Sequence, residues 1–199
     1  DARRLIGQYV DHYNKVRFPK VAKGRNFGPT QNYLHMLYSY DYATEPLGGP
    51  YVGPSEVRYL RSLDNGVNWQ PFVKVGDTGM IARENDLMAD EAGSVVLATW
   101  HDWVSAHWSF DALYAKSSDD GAFWRASGAL AAAASFDETY PVVARDGQGN
   151  AHFVYSLGRG DIDTLLFHRA LLGIRTPSEY WSDPCQMTLP QGGTSLARQ

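Results

Sequence analysis

An octet occurs twice in this chain, as Ser62-Leu63-Asp64-Asn65-Gly66-Val67-Asn68-Trp69 and as Ser117-Ser118-Asp119-Asp120-Gly121-Ala122-Phe123-Trp124, the second copy 55 positions after the first. Each copy follows an alternating run, Val57-Arg58-Tyr59-Leu60-Arg61 and Ala112-Leu113-Tyr114-Ala115-Lys116, and a period of two is that of a strand. The octets therefore predict turns between strands. Asp and Gly form the turn, the carboxylate accepts backbone N–H bonds across it, and the Trp ring is expected to bury itself beside the hairpin.

A second motif repeats independently. Phe18-Pro19-Lys20-Val21-Ala22 is echoed by Tyr140-Pro141-Val142-Val143-Ala144, and more weakly by Asn85-Asp86-Leu87-Met88-Ala89, which lies 55 positions before that later copy. Each precedes a turn containing Gly or Asn and then an apolar strand, expected over Tyr33 to Tyr40, Val95 to Trp100 and Ala151 to Tyr155. The repeating unit reads as inner strand, turn, second strand, long loop, third strand, Asp-containing turn and fourth strand. A four-stranded unit recurring every ~50 to 60 residues predicts an all-β protein built of propeller blades. The 12 Tyr, 6 Trp and 19 Gly fit many short strands better than a helix bundle.

Charge and composition exclude several classes of function. The 199 residues are 44% hydrophobic and 20% charged, a folded-domain balance with no apolar run of membrane-spanning length. Against 22 Asp+Glu stand 18 scattered Lys+Arg, so there is no basic footprint for nucleic acid. Cys185 stands alone and can form no internal disulfide. No phosphate-binding loop, nucleophile elbow or zincin motif occurs, so no cofactor is expected. His101 and His107, with Asp102 between them, are two imidazoles in a loop without a third fixed ligand, and no metal site is expected either.

The octet S-x-D-x-G-x-x-W resembles the Asp-box, or BNR repeat, of the sialidase-like β-propellers. The resemblance implies four-stranded antiparallel blades with Asp-box hairpins, at approximately residues 16–75, 84–131 and 138–182 of one domain spanning 1–199. It assigns Ser62, Asp64, Gly66, Trp69, Ser117, Asp119, Gly121 and Trp124 a structural role in the turns. A third such turn is degenerate, with Ala170 and Leu172 at the Ser and Asp positions before Trp181, and the stretch after it could open another blade. Three blades do not close a ring, because propellers use about four to eight. The chain is therefore expected to be part of a longer propeller, to be completed by another subunit, or to hold further blades at its two ends that complete a small ring.

Ligand-binding loops in such proteins lie at the end opposite the Asp-boxes. They are expected here at Asp41 to Tyr51, His101 to Trp108 and Arg159 to Asp163, with Arg83, Glu84 and Asp86 and then Asp137, Glu138 and Thr139 in the connections entering the blades. Carboxylates mixed with aromatics suit a sugar, whose hydroxyls need acceptors and whose C–H faces stack on rings. Asp102, Trp103, His107, Trp108 and Arg83 are the expected ligand-binding residues, although Trp103 and Trp108 could equally fill gaps between blades. Val16-Arg17-Phe18-Pro19 resembles the arginine element of the first sialidase strand, and Asp41 stands where the acid would, so the resemblance implies catalytic roles for both. Against that, Thr139 replaces the arginine before Tyr140-Pro141, and Asp41 matches Asp102 of the next blade. A glycan-recognising propeller, with hydrolysis of sialylated or related glycans as its enzymatic form, and a non-catalytic interaction module are both left open. The glycan reading implies an extracellular, periplasmic or cell-surface location.

Overall fold

The computed structural model describes residues 16–26, 32–41, 55–75, 81–91, 94–104, 106, 108–125, 128–131, 136–147, 150–159, 162–171 and 185–187. Every regular element among them is a strand. The first sheet holds β1 (Val16–Asn26), β2 (Asn32–Asp41), β3 (Ser55–Ser62) and β4 (Val73–Lys74). The second holds β5 (Arg83–Ala89), β6 (Val96–Val104), β7 (Ser109–Ser117) and β8 (Gly128–Ala131), and the third β9 (Asp137–Arg145), β10 (Asn150–Arg159), β11 (Ile162–Leu171) and β12 (Cys185–Met187). Each sheet is an antiparallel meander in chain order, the four-stranded unit of a propeller blade. Cys185–Met187 pairs with β11 and so ends the third sheet instead of opening a fourth. Ala170 lies within β11, and the remainder of the degenerate third turn, with Trp181, lies outside the described residues.

The sheets stack face to face, and the middle one is buried on both sides. Alternate residues of β6 feed two cores. Val96, Ala98 and Trp100 join Leu37, Val57 and Tyr59 of the first sheet, while Leu97 joins Val143, Phe153 and Tyr155 of the third. This explains why β6 is buried without alternation from Val96 to Asp102: a strand covered on both faces has no solvent side to alternate with. The inner strands meet, with β5 lying between β1 and β9. Asp86 ties them together, accepting the Val143 amide at 3.0 Å through one oxygen and standing 3.7 Å from Lys20 Nζ through the other.

Each octet forms a turn in which both Asn65-Gly66 and Asp120-Gly121 take positive φ, closed by Val67 N–H to Asp64 C=O and Ala122 N–H to Asp119 C=O. Two positive-φ residues at the centre are the requirement of a type I′ turn, which Asn-Gly and Asp-Gly satisfy most readily. The side chains brace it. Ser62 Oγ donates to Asp64 at 2.8 Å and accepts the Gly66 amide, and Asp64 accepts the Asn68 amide. Ser117 and Asp119 repeat those bonds with Gly121 and Phe123. The Asn68 amide and side chain, then the Ser62 hydroxyl, hold the exposed Asp64 carboxyl below its usual pKa. The Trp69 and Trp124 rings are only half-buried; Trp124 meets Tyr59 edge-on at 4.8 Å.

The second octet also docks on the first sheet. Tyr59 Oη reaches the Asp120 carbonyl and Arg61 Nη1 donates to it at 3.0 Å, while Arg25 pairs with the Asp120 carboxylate at 3.3 Å. A Cβ on Gly121 would stand 1.8 Å from Tyr59 Oη, whereas one on Gly66 would meet Leu34 Cδ1 at 3.2 Å. Gly121→Ala should therefore cost ~2 kcal/mol or more, from overpacking added to the positive-φ penalty, and Gly66→Ala ~1 kcal/mol. Denaturant unfolding of the two variants checks the order, and equal losses would mean that the turn does not press on Tyr59.

Tyr59 also bonds the buried His35 Nδ1. Burial, helped by Arg61, lowers the His35 pKa from 6.5 to about 4, and burial raises that of Tyr59. The unfolded chain thus holds more protons between those two His35 values. Stability is whole above pH 6.5 and declines as the pH falls toward 4. His35→Gln should flatten the fall in melting temperature over that window, and an unchanged slope would show that His35 is not the group responsible.

Candidate functional site

The end of the sheets opposite the octets is shaped by three matching β-bulges. In β1, β5 and β9 the ladder slips between Arg17 and Lys20, between Arg83 and Asp86, and at the β9 residues facing Val154 to Ser156. The residue inside each slip has positive φ: Phe18 at 51°, Glu84 at 48° and Tyr140 at 53°. Glu84-Asn85 is therefore the structural counterpart of Phe18-Pro19 and Tyr140-Pro141, one position earlier than the Asn85-Asp86 alignment read from the sequence. The bulge carries the true register, and Pro marks it in only two of the three strands. A bulge re-aims side chains, and a strained φ on a non-glycine residue must be held by its surroundings.

Several of the expected loop residues lie in strands, while residues 42–51 of the first expected loop lie outside the described residues. His101, Asp102 and Trp103 belong to β6, which pairs with β7 up to Val104 opposite Ser109, and β10 pairs with β11 up to Arg159 opposite Ile162. The paired ladders therefore reach further into the expected loops than the sequence indicated. Likewise Arg83, Glu84 and Asp86 lie in β5, and Asp137, Glu138 and Thr139 in β9.

Alternation then divides the predicted site between two seams. Leu37 and Trp100 face the seam between the first and second sheets, so Asp41 and Asp102, in step with them along their strands, face it too. Both are buried. Asp102 is 1% exposed and its Oδ1 accepts the Ile81 amide at 3.0 Å, while Ser55, opposite Asp41 in the ladder, donates to the Ala82 carbonyl. These bonds hold the segment entering β5. Arg17 pairs with Ser39 in β1; its side chain and the whole of His107 lie outside the described residues.

His101 and Trp103 face the other seam, between the second and third sheets. There the rings form a chain: Trp108 to Trp103 at 6.4 Å, Trp103 to Phe110 at 5.1 Å, Phe110 to His101 at 4.7 Å, and His101 to Tyr140 of the third sheet at 6.3 Å. Trp108 is 79% exposed and Tyr140 46%. The Glu84 carboxylate stands 3.2 Å from His101 Nδ1, and Arg83 lies opposite His101 in the ladder. Asp137 of the third sheet accepts the Phe110 amide at 3.0 Å. Glu138 is fully buried, and its charge adds to the burial that pushes the Tyr155 hydroxyl up to about 12.

The structure thus brings Arg83, Trp103 and Trp108 together and leaves Asp41 and Asp102 in the neighbouring seam. Glu84 and His101, expected on this face, and Phe110 and Tyr140, which were not, complete the aromatic seam. The repeat of Tyr140-Pro141 on Phe18-Pro19 was the available signal, since the residue before each Pro is the bulge residue. Among the described residues, no group of three or more His, Cys, Asp or Glu side chains is placed to hold a metal ion.

This defines an all-β protein of four-stranded antiparallel blades, with braced Asp-Gly or Asn-Gly turns at one end and an aromatic, acidic seam at the other. No family model matches the chain, and no curated protein matches it. Among solved structures it is similar to the Bombyx mori GH32 beta-fructofuranosidase BmSUC1, at 16% sequence identity and a TM-score of 0.41, over 84% of this chain and 39% of that one. The chain spans about two-fifths of the length of that enzyme.

Asp102→Ala should destabilise by ~1–3 kcal/mol by orphaning the half-buried Ile81 amide, and Asp102→Asn, which keeps an acceptor, should recover most of the loss. Urea unfolding measures both. An alanine variant as stable as the parent would free Asp102 from this structural role.

Proposed function

We propose that the protein is a carbohydrate-recognising, sialidase-like propeller unit that binds glycans at the end opposite its Asp-box turns. The observation that carries this reading is the ring chain from Trp108 to Tyr140, exposed at both ends and flanked by the Glu84 carboxylate. Exposed indole and phenol faces accept the C–H face of a sugar, and carboxylates accept its hydroxyls. The enzymatic form of this proposal assigns Asp41 the protonation of a glycosidic oxygen and Arg17 the anchoring of a substrate carboxylate, as the sialidase resemblance implies. A secreted, periplasmic or surface location goes with such a ligand.

The rival reading, an interaction module, is favoured by the outer face of the first sheet. There Arg58 lies over Tyr40 at 3.6 Å and Phe72 at 4.1 Å, with Phe72 47% exposed. That face suits a further blade, from a longer chain or another subunit. A glycan array combined with a fluorogenic sialoside assay tests the proposal. Binding should fall in Trp108→Ala and Trp103→Ala, and any sialoside hydrolysis should disappear in Asp41→Asn while binding persists. No glycan signal, together with a stable protein complex through the Phe72 face, would overturn the carbohydrate reading.

A further inference from the structure

Resting on that glycan reading, we infer that the ligand is an uncharged sugar, read by Glu84 and His101 and stacked on Tyr140 in the seam between the second and third sheets. Three observations converge there. The two bulges that frame the seam present Glu84 and Tyr140 from positive-φ positions, so their side chains are aimed by backbone that ordinary strand geometry would not supply. The His101 side chain is 6% exposed and faces the seam, with its Nδ1 on Glu84 Oε2 and its ring against Phe110 and Tyr140. The Glu84 side chain is 22% exposed, with its Oε2 buried against His101.

The charge around this seam selects the class of sugar. Asp137 and Glu138 belong to the same seam, and Asp41, Asp102 and Asp111 face the adjacent one. Arg83 is the arginine that the ladder sets beside His101. A sugar carboxylate or sulfate would enter a region dominated by negative charge, whereas a neutral sugar offers donors to the carboxylates and an apolar face to the rings. Glu84 touches the ligand, and His101 positions Glu84.

The test is an array of neutral and sialylated oligosaccharides, followed by calorimetric titration of the brightest neutral glycan. Neutral glycans should bind in preference to sialylated ones. Glu84→Gln and Tyr140→Ala should each weaken the neutral glycan by roughly tenfold or more, as loss of a charged hydrogen bond or a stacking face implies. Tyr140→Phe, which keeps the ring, should stay close to the parent, and so should Val67→Ala at the octet end. Circular dichroism and melting curves show that each variant is folded. Glycan binding that survives both Glu84→Gln and Tyr140→Ala, or that is confined to sialylated glycans, overturns this inference and leaves the glycan reading standing. Absence of binding to any glycan overturns both.

Discussion

Burial of the middle sheet on both faces governs the rest of the molecule. Because β6 has a core on either side, each step of one residue along it changes the seam that a side chain enters. Trp100 and Asp102 go to the first sheet, and His101 and Trp103 to the third. The strand that supplies the apolar centre therefore also distributes the polar and aromatic groups at its end. Asp102 is drawn into holding the Ile81 amide, and His101 is drawn into the ring chain.

The two ends of the blades solve different problems. At one, Ser, Asp and Gly build turns that satisfy their own backbone, and the second of these turns reaches across to Tyr59 and Arg61 of the neighbouring sheet. That end joins sheets through hydrogen bonds to carbonyls, with Gly121 allowing the close approach. At the other, the inner strands bulge and store strain at Phe18, Glu84 and Tyr140. Asp86 and the Asn85 bond to Ser39 lace the inner strands just beyond the bulges, which keeps the strained residues in place.

Much of the fold was legible because the turn chemistry is local. Asn65-Gly66 and Asp120-Gly121 specify their turns within a few residues, and the flanking period of two specifies strands. The site was less legible because its grouping is non-local. Trp103 and Trp108 could be named from aromatic enrichment and Glu84 from its place before the second blade, but their partner Tyr140 comes from another sheet, and the equivalence of Glu84 with Tyr140 was hidden by a register that a bulge shifts by one residue. Burial on both faces also disguised His101 and Asp102 as loop residues, since a strand without a solvent face loses the alternation that marks it.

Alternation in β6 sends His101 into the seam shared with the third sheet. Nuclear Overhauser contacts of the His101 ring test it most directly, using protein with labelled aromatic side chains. Contacts are expected from His101 to the rings of Phe110 and Tyr140, whose centroids lie 4.7 and 6.3 Å away. Contacts from His101 to Leu37 or Val57 of the first sheet, with none to Tyr140, would contradict it.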